Sequence, residues 1–400
     1  MVEKTILYFH VHQPFRLKKR GLFETSNNFF DEEMNKHYFE KATRQCYLKA
    51  NKILLDNLNS QPEFKFNLSI TGTFIEQCYK YNSEVLDSFK KLTDTGQVEI
   101  LGETYYHSLA SLFKEDTEFQ EQVKEHSEKI NEVFGQHPTT FRNTEALYNN
   151  EIAARAKKLG FKNIITEGVE RILGYKSPNY LYESPSKMKL LMRNYPLSDD
   201  VGYRFSQKSW SEFPLTTEKY TGWIKNSPGD VANIFMDYET FGEHHWEDTG
   251  ILNFLKYLPN ALKNEKIETL KIQETCNKIP VRDEISVPQT ISWADMERDE
   301  SAWLGNRMQK RIFKELEDLA IPIKKVNRPE LLKDYRKLQT SDHLHYLCTK
   351  SLDDQDVHNY FSPYKGQNAY ENFVEYSVLM DQFKEKVKEY SQENNEKVLV

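Results

Sequence analysis

The sequence predicts an α/β fold, a parallel barrel of seven or eight βα units over residues 1–300 followed by a helical region over 301–400. Two observations lead there. Short apolar runs alternate with longer amphipathic stretches through the first three quarters of the chain, the pattern of βα units. After Ser301 the strand signal fades, and Trp303, Leu304, Met308, Ile312, Leu316 and Leu319 recur at helical steps instead.

In chain order the predicted strands are residues 5–12, 65–71, 98–104, 140–145, 163–166, 190–193, 231–238 and 290–293. Helices are predicted over 38–58, 73–92, 117–134 and 149–159, the last stopped by Gly160, which takes a left-handed C-cap without penalty. Beyond Ser301, further helices are predicted over 329–338, 342–349 and 370–390, with the charged stretch 384–397 fraying into solvent.

Composition narrows the functional classes. Lysines and arginines number 54 against 61 acidic residues, a net charge of −7 with both signs spread along the chain. A main partner such as nucleic acid or an anionic membrane calls for a basic stripe, which this distribution lacks. The four cysteines, Cys46, Cys78, Cys276 and Cys348, lie far apart with no C-x-x-C pair, as expected of reduced thiols in the cytoplasm. The N-terminal apolar run is too short for a secretion signal and reads as a first strand. The 13% aromatic content is high, and although most such rings fill cores, their faces also suit sugar rings. No glycine-rich phosphate loop and no nucleophile elbow is present, so no cofactor is expected.

A parallel barrel carries its reactive groups at the C-terminal ends of its strands. Four predicted strands run from apolar residues into imidazoles, carboxylates and aromatics: YFHVHQP at the first, ILGETYYH at the third, FRNTE at the fourth and FMDYETFGEHHW at the seventh. Residues two apart share a strand face, so His10 and His12 point together, as do Asn143 with Glu145 and Phe235 with Asp237 and Glu239. One interior rim then holds Glu145, Asp237 and the histidines. Two carboxyls on one rim are what glycosidic cleavage requires, about 5–5.5 Å apart for retention and ~6.5–9.5 Å for inversion. His10 and His12 serve either as ligands to a divalent metal or as hydrogen-bonding groups for sugar hydroxyls. Trp246, Trp293 and Trp303 flank these segments and offer stacking faces.

These motifs resemble glycoside hydrolase family 57, particularly its α-amylase-like branch. The matching segments are HVHQPFRL at 10–17, GETYYHSL at 102–109, FRNTE at 141–145, FMDYETFGEHHW at 235–246, and SWADMERD at 292–299 with SAWLGN at 301–306. DHLHYLCTK at 342–350 and VHNYFSPY at 357–364 resemble that branch as well. The resemblance implies an irregular seven-stranded barrel, with a helical domain that helps close the cleft. It also implies retaining hydrolysis of α-glucans without a metal. By position, Glu145 takes the nucleophile role and Asp237 the acid/base role. His12, Glu103, His107, Glu239, Asp299 and Trp303 match positions near substrate, and His10, Trp246 and Trp293 join them as candidate contacts. Three alternatives stand beside this reading: a 4-α-glucanotransferase or branching enzyme using the same site, a metal-dependent deacetylase or mannosidase with His10 and His12 as ligands, and a catalytically silent glucan-binding protein.

Overall fold

A computed structural model describes residues 1–21, 24, 26, 28–350 and 368–398, with side chains up to residue 392. The motif at 357–364 and the end of the charged C-terminal stretch lie outside the described residues or side chains.

The strands are β1 (Lys4–Val11), β2 (Phe66–Ile70), β3 (Val98–Ile100), β4 (Thr140–Arg142), β5 (Asn163–Glu167), β6 (Leu181–Glu183), β7 (Lys189–Arg193), β8 (Ala232–Asp237) and β9 (Glu268–Thr269). One parallel sheet runs β3-β2-β1-β8, with β9 added beside β1; the other runs β4-β5-β7, with β6 antiparallel on its edge. Two narrow joints close these into a ring. At the first, Gly102 bridges Phe141, and Arg142 donates its N–H to the Gly102 carbonyl at 2.8 Å. At the second, Asn194 N–H donates to the Asn233 carbonyl at 2.8 Å, while the Asn233 amide reaches the Met192 carbonyl at 3.0 Å. Seven strands, β1 to β5, β7 and β8, therefore form an irregular (β/α) barrel, distorted where so few ladder bonds join its halves.

The strand alternation is that of a barrel. Leu7, Phe9 and Val11 of β1 pack outward with the surrounding helices, whereas Ile6 and Tyr8 join Leu101, Ile165, Leu191 and Phe235 in a separate inner cluster. Helix Ile272–Lys278 contributes Ile272 and Cys276 to that cluster. The inner apolar plug fills the lower barrel, so polar side chains one step further along each strand are lifted to its upper rim.

Seven of the eight predicted strands form. The eighth, 290–293, does not: Ile291 makes only an isolated bridge with Tyr148, and the rest of the segment is loop. The predicted helix 73–92 divides into Gly72–Tyr81 and Ser83–Asp94, because extended Asn82 ends the first and caps the second through Glu84 N–H. The predicted helix 38–58 belongs to a longer run, Glu32–Ala42 and Leu48–Ser60, joined by a π-helical turn at Thr43–Tyr47. After Ser301 the described chain is helical, with Arg307–Val326, Pro329–Leu338, Ser341–His345 and Ala369–Val398 as the main elements. Asn306 caps the first of these with a reciprocal Gln309 contact. Its apolar face, including Ile312, Leu316 and Ile323, packs in the same core as Phe141 and Ile164 of the barrel.

Candidate active site

The site begins with β1 and its two neighbours. Parallel pairing sets His10 of β1 opposite Asp237 of β8 and opposite Ser69 of β2. His10 Nδ1 meets Ser69 Oγ at 2.8 Å, and His12 Nδ1 meets Thr71 Oγ1 at 3.0 Å. The other side of the His12 ring, Nε2, lies 3.1 Å from Asp342 Oδ2, a residue of the C-terminal helices. His107 stacks against both rings, 4.7 Å from His10 and 4.2 Å from His12 between centroids.

Glu145 reaches the rim by a route that strand alternation does not foresee. β4 ends at Arg142, and Asn143 turns away to Ser111 and to the Leu147 carbonyl. Continued extension would carry Glu145 to that same side. Instead Glu145 adopts φ +56°, a left-handed conformation uncommon for a side chain of this kind, and Ala146 follows at +51°. The reversal brings the carboxylate to three groups from different parts of the chain. Oε1 lies 3.2 Å from His107 Nε2 and accepts from Ser341 Oγ at 2.9 Å, while Oε2 accepts from Trp293 Nε1 at 2.9 Å. Such convergence holds both oxygens in one orientation.

Electrostatics divide the three imidazoles. Burial disfavours a charged His107, but hydrogen bonds to Glu103 and Glu145 outweigh it and hold the ring at about 9. Burial, the Arg142 guanidinium and His107 push His10 well below the ordinary histidine range. His12 is lowered by burial and by His107, against the pull of Asp342. At neutral pH the layer therefore carries one imidazolium between neutral rings. Glu103, fully buried, is held below the usual carboxylate range: His107, His126 and Arg142 together overcome the cost of burial. Arg142 lies 3.9 Å from Glu103 and stacks over the Trp293 ring at 4.7 Å.

Glu239 sits in the turn after β8, where Tyr47 Oη donates to its Oε1 at 2.5 Å. Burial, then the charge of Asp237, push it up to about 8.

Comparison with known proteins places this arrangement. Residues 6–288 match the profile of Glycosyl hydrolase family 57. The chain belongs to that family. It is a glycoside hydrolase, and the resemblance read from the motifs holds. A Methanocaldococcus jannaschii protein whose given name is "Putative alpha-amylase" is 47% identical over 396 residues, covering 95% of this chain and 84% of its own. Among solved structures, the branching enzyme of Pyrococcus horikoshii superposes with a TM-score of 0.69 at 13% identity, over 96% of this chain and 95% of the other. The 4-alpha-glucanotransferase of Thermococcus litoralis does so with a TM-score of 0.68 at 16% identity, over 93% of this chain and 59% of the other. At these identities the two structures speak to the fold alone.

Within this family 57 chain, not every candidate residue joins the cluster. His10, His12, Glu103, His107, Glu145 and Trp293 form one contiguous set, with Asp237 in register beside His10. Trp303 is fully buried and packs beside His345, so its ring offers no face to a ligand in this structure. Asp299 caps the turn at Ser301, accepting from its N–H at 2.8 Å. Trp246 is 54% exposed on the loop after β8. His245, which precedes it, is tied to Ser206 and to the Gly202 carbonyl.

Sequence reading missed Ser341, Asp342 and Arg142 as site residues. Arg142 follows outward-packed Phe141 and therefore points inward, a signal that the strand period does contain. For Asp342 the signal is weaker, only the motif at 342–350, and Ser341 lies just before that motif with no signal of its own.

Among the described residues, two sets of three potential metal donors have their ligand atoms within 4.8 Å of one another inside each set: His10 with Glu103 and His107, and His12 with His107 and Asp342. Their geometry suits a metal poorly. The His10 and His107 planes lie 25° apart and those of His12 and His107 30° apart, so in-plane lone pairs run side by side rather than toward a common point. Glu103 faces a guanidinium, and His107 already bridges two carboxylates.

Proposed function

We propose that this family 57 protein is a retaining α-glucan hydrolase of the α-amylase type, with Glu145 as nucleophile and Asp237 as acid/base. One relationship carries the assignment: β1 and β8 set Asp237 beside His10, and His10 stacks on His107, whose far nitrogen meets Glu145. Two carboxyls from opposite halves of the barrel thus belong to one rim. The name of the M. jannaschii relative agrees with this substrate class.

Glu145 attacks the anomeric carbon of an α-linked glucose while Asp237 protonates the departing oxygen, leaving a β-glycosyl ester on Glu145. Asp237, now ionised, takes a proton from water, which attacks the same carbon and frees the sugar with α configuration. Ser341 and the Trp293 indole hold the nucleophile's oxygens in place. His12, His107, Glu239 and Trp246 are further contacts for sugar, and the fully buried Glu103 acts through His107.

Residues 1–300 form the barrel domain in this reading, and residues 301–400 form a helical domain that supplies Ser341 and Asp342 to the cleft. Four free, buried cysteines favour work in a reducing cytoplasm. Among the described residues no helix is long and apolar enough to cross a membrane.

Incubation of the purified protein with maltooligosaccharides tests the whole reading, with the first-formed anomer followed by NMR. Shorter products of α configuration are expected. Products longer than the substrate would assign the chain to transfer, β products to inversion, and the absence of any product to glucan binding alone.

A further inference from the structure

Trp293 reaches Glu145 from a loop whose shape is imposed on it. Over residues 292–299, two residues other than glycine take left-handed backbone, Asp295 at φ +58° and Arg298 at φ +48°. Such conformations persist where surrounding contacts enforce them. The loop is closed at its feet: Ser292 N–H donates to the Arg298 carbonyl at 3.1 Å, and Ser292 Oγ donates to the Asp299 carbonyl at 2.6 Å. Arg171 grips it from outside, donating to the carbonyls of Glu297 and Arg298 at 2.6 and 2.9 Å. Lys350 pairs with Asp295 at 3.2 Å and with Glu297 at 3.0 Å.

The Arg298 side chain ties the loop to the barrel itself. Parallel register sets Glu167, at the end of β5, opposite Arg193, at the end of β7. Fully buried Glu167 accepts on Oε2 from Arg193 at 2.9 Å and from Arg298 at 3.2 Å, and on Oε1 from Gly168 N–H at 2.7 Å. The second arm of the Arg298 fork lies 3.8 Å from Asp199, and its guanidinium sits over the Tyr195 ring at 4.0 Å; both partners belong to helix Tyr195–Gly202. One planar cation thus spans three groups fixed by β5 and by the helix after β7. Five residues earlier, the Trp293 ring lies 4.7 Å from the Arg142 guanidinium and 5.9 Å from that of Arg193. Its indole N–H then falls on Glu145 Oε2 at 2.9 Å, and its backbone N–H on the Glu145 carbonyl at 3.4 Å.

We propose that Arg298 is a positioning residue for the nucleophile: it clamps the loop 292–299 to the barrel rim at Glu167, and the loop presents the Trp293 N–H to Glu145. This rests on the assignment of Glu145 as nucleophile. The link from clamp to carboxylate is short. The Arg298 carbonyl holds Ser292, Ser292 precedes Trp293, and the indole holds Oε2. Released from Glu167, Asp295 and Arg298 relax toward ordinary φ values, and the indole is drawn off the carboxylate. His107 and Ser341 then remain on Oε1, while Oε2 loses its donor. A nucleophile held by one oxygen meets the anomeric carbon in a less defined orientation, which lowers the rate of attack more than it weakens sugar binding.

The test compares the full-length protein with Arg298→Met, which keeps a stem over Tyr195, and with Arg298→Lys, which keeps a cation for Glu167 but not the planar fork. The five tryptophans are labelled with ¹⁵N, and the Trp293 indole N–H signal is assigned by its loss in Trp293→Phe. In Arg298→Met that signal moves upfield, toward its place in Glu145→Ala. On a maltooligosaccharide kcat falls about 10- to 100-fold, as for loss of one hydrogen bond to a charged group, while KM changes by less than about threefold. Arg298→Lys falls between wild type and Arg298→Met on both measurements, and it serves alone if Arg298→Met does not fold. In a Trp293→Phe background, Arg298→Met lowers kcat by no more than about twofold. An indole signal unmoved in both variants, or an equal loss of kcat with Trp293 and without it, would overturn the proposal. A wild-type protein that cleaves no α-glucan would instead overturn the assigned function, and the indole signal would still decide whether Arg298 seats Trp293.

Discussion

The Trp293 indole donates to Oε2 of Glu145 at 2.9 Å while its ring lies beneath the Arg142 guanidinium, 4.7 Å from centre to cation. One aromatic side chain thereby connects a loop after residue 290 to the turn that follows β4. Trp293→Phe keeps a ring for Arg142 and removes the N–H. Steady-state kinetics should show kcat lowered about 10- to 100-fold, the cost of one hydrogen bond to a charged group, with little change in melting temperature. An unchanged kcat would mean that the indole serves packing alone.

Glu145→Gln preserves shape and removes the attacking charge, so glucan cleavage should fall by ~10⁴-fold or more, as when a catalytic triad loses a member. Glu145→Ala supplied with azide should form a β-glycosyl azide, read by NMR. Recovery of an α-azide, or near-normal turnover by the Gln variant, would move the nucleophile elsewhere.

His107 predicts a loss of stability in alkali. Its folded value of about 9 lies above the unfolded value near 6.5, so its contribution is complete below pH 6.5 and disappears as pH rises through 9. The difference corresponds to roughly 3 kcal/mol at most. Glu239, raised to about 8 by burial and Asp237, adds a loss of the same sign between pH 4.5 and 8. Thermal melts at pH 6.5 and pH 9 should therefore show a larger drop for wild type than for His107→Gln. Equal drops would contradict the ion-paired ring.

The segment that carries Ser341 and Asp342 is fastened to the barrel just upstream. Thr340 bridges Ser108, Ser341 N–H donates to the His107 carbonyl at 2.9 Å, and Arg336 pairs with Glu118 at 2.9 Å, Glu125 at 3.0 Å and Glu121 at 2.5 Å. Arg336→Met leaves three carboxylates facing one another around the remaining Lys324. A destabilisation of roughly 3 kcal/mol is expected, measurable by denaturant titration. A fall in kcat/KM should accompany it at temperatures where the protein is still folded. Full activity under those conditions would show that the latch does not position Ser341.

Much of the barrel was legible because its code is local. β1 and β8 alternate inward and outward residue by residue, so the inward places of His10 and Asp237 followed from the spacing alone. Legibility ended where regular structure did. The segment 290–293 has the composition of a strand but, among the described residues, makes one isolated bridge, to Tyr148, with single bonds from Ser292 and Trp293 to Arg298 and Glu145, and Asn82 divides a stretch whose apolar period runs on without a break. Trp303 shares its motif with Asp299, yet the packing of Arg307–Val326 and Ser341–His345 encloses it.

From its sequence alone this chain declares a parallel barrel, the positions of seven of its strands, and the acidic and imidazole groups at their ends, because side-chain period and strand length depend only on neighbouring residues. The turn of Glu145 into the cleft, the meeting of Tyr47 with Glu239 across 192 positions and of Ser341 with Glu145 across 196 belong to the tertiary structure. No local pattern prefers a left-handed glutamate or a π-helical tyrosine. Each exists because packing of distant segments holds it there against the backbone's own preference.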